Sequence, residues 1–169
     1  MFMMNRFRGL SHSVFGLFVM MVLLSVGSPV VASGHDEQPD MAMVTPSPMN
    51  FPDTVSAFQS EVDAAGWSIL NENNMAGVLS ERGFTVDPVM IFDVCSGQYS
   101  AEILERDEYR PVSAFMPCRV SIYQDSEGQV MISRMNVPAF LPFMPEGVAE
   151  VMAASSEEIE QVIESVVSQ

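Results

Sequence analysis

The stretch from Val120 to Ile132 constrains the fold most, because it alternates apolar and polar residues on both sides of a turn. Val120 and Ile122 lead into Asp125, Ser126, Glu127 and Gly128, and Val130 and Ile132 follow. Period-two alternation lines one face of a sheet with apolar side chains, and glycine supplies the positive φ that a tight connection needs. The pattern predicts an antiparallel hairpin. Upstream, Val89 to Cys95 is apolar except at Asp93, which predicts a strand covered on both faces. A hairpin and a neighbouring buried strand call for helices with apolar stripes to cover them.

Those stripes are present. Pro52 and Asp53 open a helical pattern in which Val55, Phe58, Val62 and Ala65 recur at spacings of three and four until Gly66. Trp67 to Glu72 alternates as a strand does, and Met75 to Arg82 reads as a short helix ended by Gly83. A further helix begins at Gln98 with Tyr99, Ile103 and Leu104 as its apolar side. Pro111 and Pro117 bracket a segment expected to be extended, and Pro138, Pro142 and Pro145 make Val137 to Pro145 an apolar loop that must pack on its own sheet or on a second copy. Gly147 to Ala154 reads as a helix, followed by a last one that starts at a capping box of Ser155 and Glu158 and carries Ile159, Val162, Ile163 and Val166. With a short first strand at Met41 to Val44, the pattern is α+β, with about five strands and three or four helices.

The amino-terminal end reads as an export signal. Arg6 and Arg8 precede an apolar block, Leu17 to Leu24, and small residues follow at Val30 to Ser33. The block is shorter than the roughly 20 residues of a spanning helix, so residues 1–32 are expected to be removed and the remainder to be periplasmic or otherwise exported. The alternative is an inner-membrane anchor formed by the uncleaved segment. Residues 33–48 read as an acidic tail with prolines, and 49–169 as one domain.

Charge narrows the partners. The chain holds 22 acidic residues against seven basic ones, a formal net charge of −15, and every basic residue is an arginine. Such a surface repels phosphate backbones and anionic headgroups, so nucleic acid is not an expected partner and no stable membrane anchor is expected once the signal is cleaved. Cleavage after Ala32 would expose Ser33, Gly34 and His35, a terminus able to bind Cu(II) or Ni(II). His35 is otherwise an incidental residue of the tail.

Two cysteines carry the remaining chemistry. If the strands that end at Cys95 and begin at Cys118 are antiparallel neighbours, a disulfide between them would close a loop of about 22 residues and stabilise by roughly 3 kcal/mol. The alternatives are unpaired buried thiols, or a ligand or soft-metal pocket in which both bind, with Met116, Met90 or Met135. Asp93, two residues before Cys95, needs a partner if buried. A register that pairs Cys95 with Cys118 puts Asp93 and Arg119 on opposite faces, leaving Arg134 as the next cation. Ligand-pocket candidates are therefore Asp93, Cys95, Cys118, Arg119 and Arg134, and weak metal candidates are Cys95, Cys118, Met116 and His35. No resident cofactor is expected, with copper as the exception to watch. No nucleophile–histidine–acid set and no glycine-rich phosphate loop is present, which argues against an enzyme.

The blocks IFDVCSGQYSAEILERD (Ile91 to Asp107) and PCRVSIYQDSEGQVMISRMN (Pro117 to Asn136) resemble the family of domain of unknown function DUF302. GWSILNENNMAGVLSERGF (Gly66 to Phe84) and VAEVMAASSEEIEQVI (Val148 to Ile163) fit the same pattern in the same order. The resemblance implies a small α+β domain of β-α-β4-α type, like the TATA-binding protein, with an antiparallel sheet and helices on one face, and it implies a homodimer. It implies no reaction. The function expected from all of this is an exported, non-catalytic domain that binds a small ligand or an envelope partner. The alternative is a thiol-dependent redox or copper-handling protein using Cys95 and Cys118.

Overall fold

The structure, a computed structural model, describes residues 40–169. The signal segment, most of the tail and His35 lie outside them. Among the described residues there are five strands, β1 (Ala42–Pro46), β2 (Ser68–Asn74), β3 (Val89–Cys95), β4 (Cys118–Gln124) and β5 (Val130–Met135). They form one antiparallel sheet in the order β1-β5-β4-β3-β2. The helices are α1 (Phe51–Ala64), α2 (Met75–Ser80), α3 (Gly97–Leu104), α4 (Val137–Phe140) and α5 (Glu146–Val167). The expected α+β class and antiparallel sheet are what the chain builds. No helix among the described residues is long and apolar enough to cross a membrane.

Local chemistry starts and stops these elements. Asn50 caps α1 by accepting the Asp53 N–H at 3.0 Å, and Pro52 sits in the first turn, where a missing donor costs nothing. The hairpin turns at Gly128, whose φ of +84° suits glycine alone. Asp125 Oδ1 tightens that turn by accepting the N–H groups of Glu127 and Gln129, each at 2.9 Å.

Alternation then sorts the side chains. Phe92, Val94, Val120, Ile122 and Ile132 form one row across β3, β4 and β5, and they meet Phe58 and Val62 of α1 and Ile159, Val162, Ile163 and Val166 of α5 in the main core. A second, smaller core holds Ile103, Val137, Val148 and Met152 around the first half of α5. Gly147 permits this approach, because a Cβ there would collide with the Tyr109 hydroxyl.

Four expectations are corrected. The two late helices are one, α5, since its buried stripe of Val148, Met152, Ser155, Ser156, Ile159 and Val162 runs on without interruption. Ser155 therefore caps nothing; its hydroxyl donates back to Met152 O at 3.1 Å, and Glu158 accepts the Trp67 Nε1–H at 2.8 Å instead. The segment before Pro117 is a 3-10 turn, Arg110–Phe115, and the loop after Val137 winds into α4 and a 3-10 turn at Leu141–Phe143. Proline in a first turn favours such short helical pieces as readily as extended chain. Finally, β3 is not fully covered: Phe92, Asp93 and Val94 are buried, and the rest of the strand is half-buried.

Two substitutions test this packing by urea unfolding. Phe92→Ala, at a fully buried side chain, should cost about 3–5 kcal/mol. Ser155→Ala should change stability by less than ~0.5 kcal/mol, where loss of a real cap would cost about 1.

Candidate functional site

The chemistry-bearing residues fall into three neighbouring places. The first is the Asp93–Arg119 pair. The two residues stand directly opposite each other across β3 and β4, and Arg119 Nε donates to Asp93 Oδ1 at 3.0 Å. This corrects the expectation that they lie on opposite faces: the register pairs Cys118 with Val94, one residue short of Cys95. The Asp93 carboxylate is nearly buried, but the Arg119 side chain is 70% exposed, so water screens the pair.

The second is Arg134, in the row that faces the helices. It is not the partner of Asp93. Its guanidinium grips Glu160 of α5 through both nitrogens of the fork, Nε at 2.8 Å from Oε1 and Nη2 on Oε2, while Nη1 donates to Thr45 Oγ1 of β1 at 2.7 Å. One buried side chain thereby ties β1, β5 and α5 together. Arg134 also lines, with Cys118, Arg119 and Met152, a hollow of about 30 Å³.

The third holds the cysteines. Both are free thiols here. At the end of β3 the chain turns into α3, and Cys95 Sγ comes to 3.0 Å from Ser100 Oγ. Cys118 starts β4 on the side of Val120 and Ile122. Despite the offset register, the two thiols line one cavity of about 30 Å³ together with Met116, Met152, Trp67 and Tyr99. Burial pushes the Cys118 thiol pKa up, and the neighbouring Cys95 adds to the effect. Among the described residues no cluster of three or more His, Cys, Asp or Glu could hold a metal. Met90 lies elsewhere, beside Phe51 and Phe84.

The loop Phe140 to Met144, expected to border the pocket, lines a large apolar cavity among the described residues, away from Asp93, Cys95, Cys118 and Arg119. The cavity measures about 410 Å³, and every side chain that lines it is apolar: Met41, Val112, Phe115, Met135, Phe140, Phe143, Met144, Pro145 and Met152. The greasy segment after Val137 does pack on its own domain through Val137, Leu141 and Met144. Phe143, however, is 85% exposed and Phe115 65%. Two other hollows of comparable size, about 450 and 400 Å³, mix polar and apolar walls and include Asn74 and Ser80 in one, Asn50 and Gln124 in the other. The prolines and phenylalanines of the loop were the legible signal for the apolar cavity; the parts played by Phe115 and Met152 depend on contacts between distant segments.

Residues 43–166 match the family model described as "Domain of unknown function DUF302". Among solved structures, the crystal structure of an uncharacterized conserved protein DUF302 from Bacillus stearothermophilus is similar, with a TM-score of 0.68 at 19% identity over 75% of this chain and 98% of that one. At that identity the likeness concerns the fold. No curated protein matches the chain.

The two arginines should separate cleanly in denaturant titrations. Arg134→Ala removes a guanidinium only 7% exposed and leaves Glu160, 32% exposed, without its partner, which should cost about 1–3 kcal/mol, whereas Arg119→Ala should cost less than ~1 kcal/mol. The raised Cys118 pKa has a sign that alkylation can read: its thiolate forms later as pH rises, so in the folded protein its modification should need a higher pH than in the unfolded chain.

Proposed function

Since the chain belongs to the DUF302 family, whose description carries no reaction, we infer its function from its own side chains: an exported, non-catalytic domain that binds an uncharged apolar ligand. The observation that supports this reading is the 410 Å³ cavity walled by aromatic rings and methionines. Its volume lies in the range of small-molecule sites, about 300–1,000 Å³. No side chain in the lining can pair with a charged group, so a charged ligand would gain little there for the hydration it loses. A ring system or a short acyl chain gains from the same walls, and methionine adapts its shape to either. The acidic surface adds a further filter, because it repels anions before they reach the mouth.

No catalytic machinery borders this cavity, and binding is the activity proposed. The Asp93–Arg119 pair and Arg134 have structural partners and are not part of it. The homodimer implied by the family is the competing use of the same surface, with Phe143 of each copy as its contact.

A second reading rests on a different observation, that Cys95 and Cys118 line a single small cavity. Under it the chain is a thiol-dependent redox or copper-handling protein of the cell envelope.

Titration with an uncharged fluorescent naphthylamine tests the first reading. One saturable site is expected, and Phe140→Ser or Phe115→Ser should weaken it by at least about tenfold, the loss of one ring's burial. A protein that binds no dye, and that Phe143→Ser converts from dimer to monomer in sedimentation, would make the surface an interface and overturn the ligand reading.

A further inference from the structure

The second reading leaves open what the two thiols act on, and we propose that Cys95, Cys118, Met116 and Met152 form an all-sulfur site for a single Cu(I) ion. This inference rests on that second reading and names its ligand.

Size comes first. A cavity of about 30 Å³ admits one water molecule or one ion and excludes any organic ligand. Donor chemistry comes next. Four sulfur-bearing residues line that cavity from four places in the fold: the end of β3, the residue before Pro117, the start of β4 and the second turn of α5. No carboxylate and no imidazole lines it. Thiolate and thioether donors select soft Cu(I), whereas hard cations need oxygen and structural zinc usually takes four thiolate or imidazole ligands. Much of the remaining wall is apolar, with the ring centroids of Trp67 and Tyr99 6.2 Å apart and Val94 and Ile103 buried, while Ser96, Ser100 and Ser155 add hydroxyls and both cysteines stay half-buried. Ser100, 3.0 Å from Cys95 Sγ, can donate its hydroxyl hydrogen to the thiolate and so hold it in place.

The binding step balances without an electron transfer. Cu(I) displaces one proton from each thiol, two S–H bonds break as two Cu–S bonds form, and the two protons pass to water. Copper stays Cu(I) throughout. The two thioethers add neutral donors, and the loaded site carries one negative charge.

The reporter is built in, since Trp67 is the sole tryptophan of the chain and lines the cavity. The reduced full-length protein, kept anaerobic, is titrated with Cu(I) against bicinchoninate while tryptophan fluorescence and near-ultraviolet absorption are followed. The expected result is one Cu(I) per chain, quenched fluorescence and a thiolate-to-copper absorption band. Cys95→Ser and Cys118→Ser should each abolish the band. Met116→Leu and Met152→Leu conserve volume and fold, and each should weaken binding by about tenfold. Copper that binds equally well to the Cys95→Ser/Cys118→Ser protein, or an affinity indifferent to both methionine variants, overturns the site. A reversible Cys95–Cys118 disulfide in protein that takes up no Cu(I) overturns the inference while the redox reading stands. Thiols that neither pair nor bind copper overturn both.

Discussion

The seating of α5 on the sheet is the constraint on which the rest of the structure depends. Ile159, Val162, Ile163 and Val166 close the main core against Phe92, Val120, Ile122 and Ile132, and all eight side chains are buried. Burial of that many branched and aromatic groups, each contributing about 1.5–3 kcal/mol, dominates any single polar contact. The Arg134–Glu160 fork then fixes orientation as well as contact, because a planar guanidinium donates to a carboxylate in few geometries. With the second half of α5 held in this way, its first half, Val148 to Met152, projects over α3 and the loop after Val137.

That projection creates the cavities. Met152 lies in the wall of the sulfur cavity, of the hollow beside Arg134 and of the large apolar cavity. One flexible, polarizable side chain thus separates three spaces of different character, a role suited to methionine and poorly suited to a branched residue. The same arrangement explains why unusual residues concentrate at one end of the sheet. The end of β3, the start of β4 and the short helical turns after Asp107 all face the first turns of α5.

The sequence made the sheet legible because alternation and turn chemistry are local. Val120 to Ile132 carries its own register, and α1 carries its own cap and stop. The register between β3 and β4 was not local. A shift of one residue decides whether Cys118 faces Cys95 or Val94 and whether Asp93 meets Arg119, and nothing between Ser96 and Pro117 fixes that shift in advance. Ser155 and Glu158 misled for a related reason: the spacing is that of a capping box, but tertiary burial on both sides of Ser155 kept the helix running. Of the candidate residues, the cysteines and Met116 share one cavity, Arg119 and Arg134 line the hollow beside Cys118, and Asp93 pairs with Arg119. Phe115 and Met152, which complete the apolar walls, carried no sign of that role beyond their hydrophobicity.

On the proposed reading the apolar cavity, rather than the rest of a methionine-rich surface, receives the ligand. The chain's 15 methionines make this directly observable. In a methyl spectrum of protein labelled at the methionine methyls, an uncharged naphthylamine bound there should shift Met41, Met135, Met144 and Met152, which line the cavity, and leave Met90 and Met131 in place. Shifts spread evenly over all methionines, or confined to Met90 in the hollow beside Phe51 and Phe84, would contradict it.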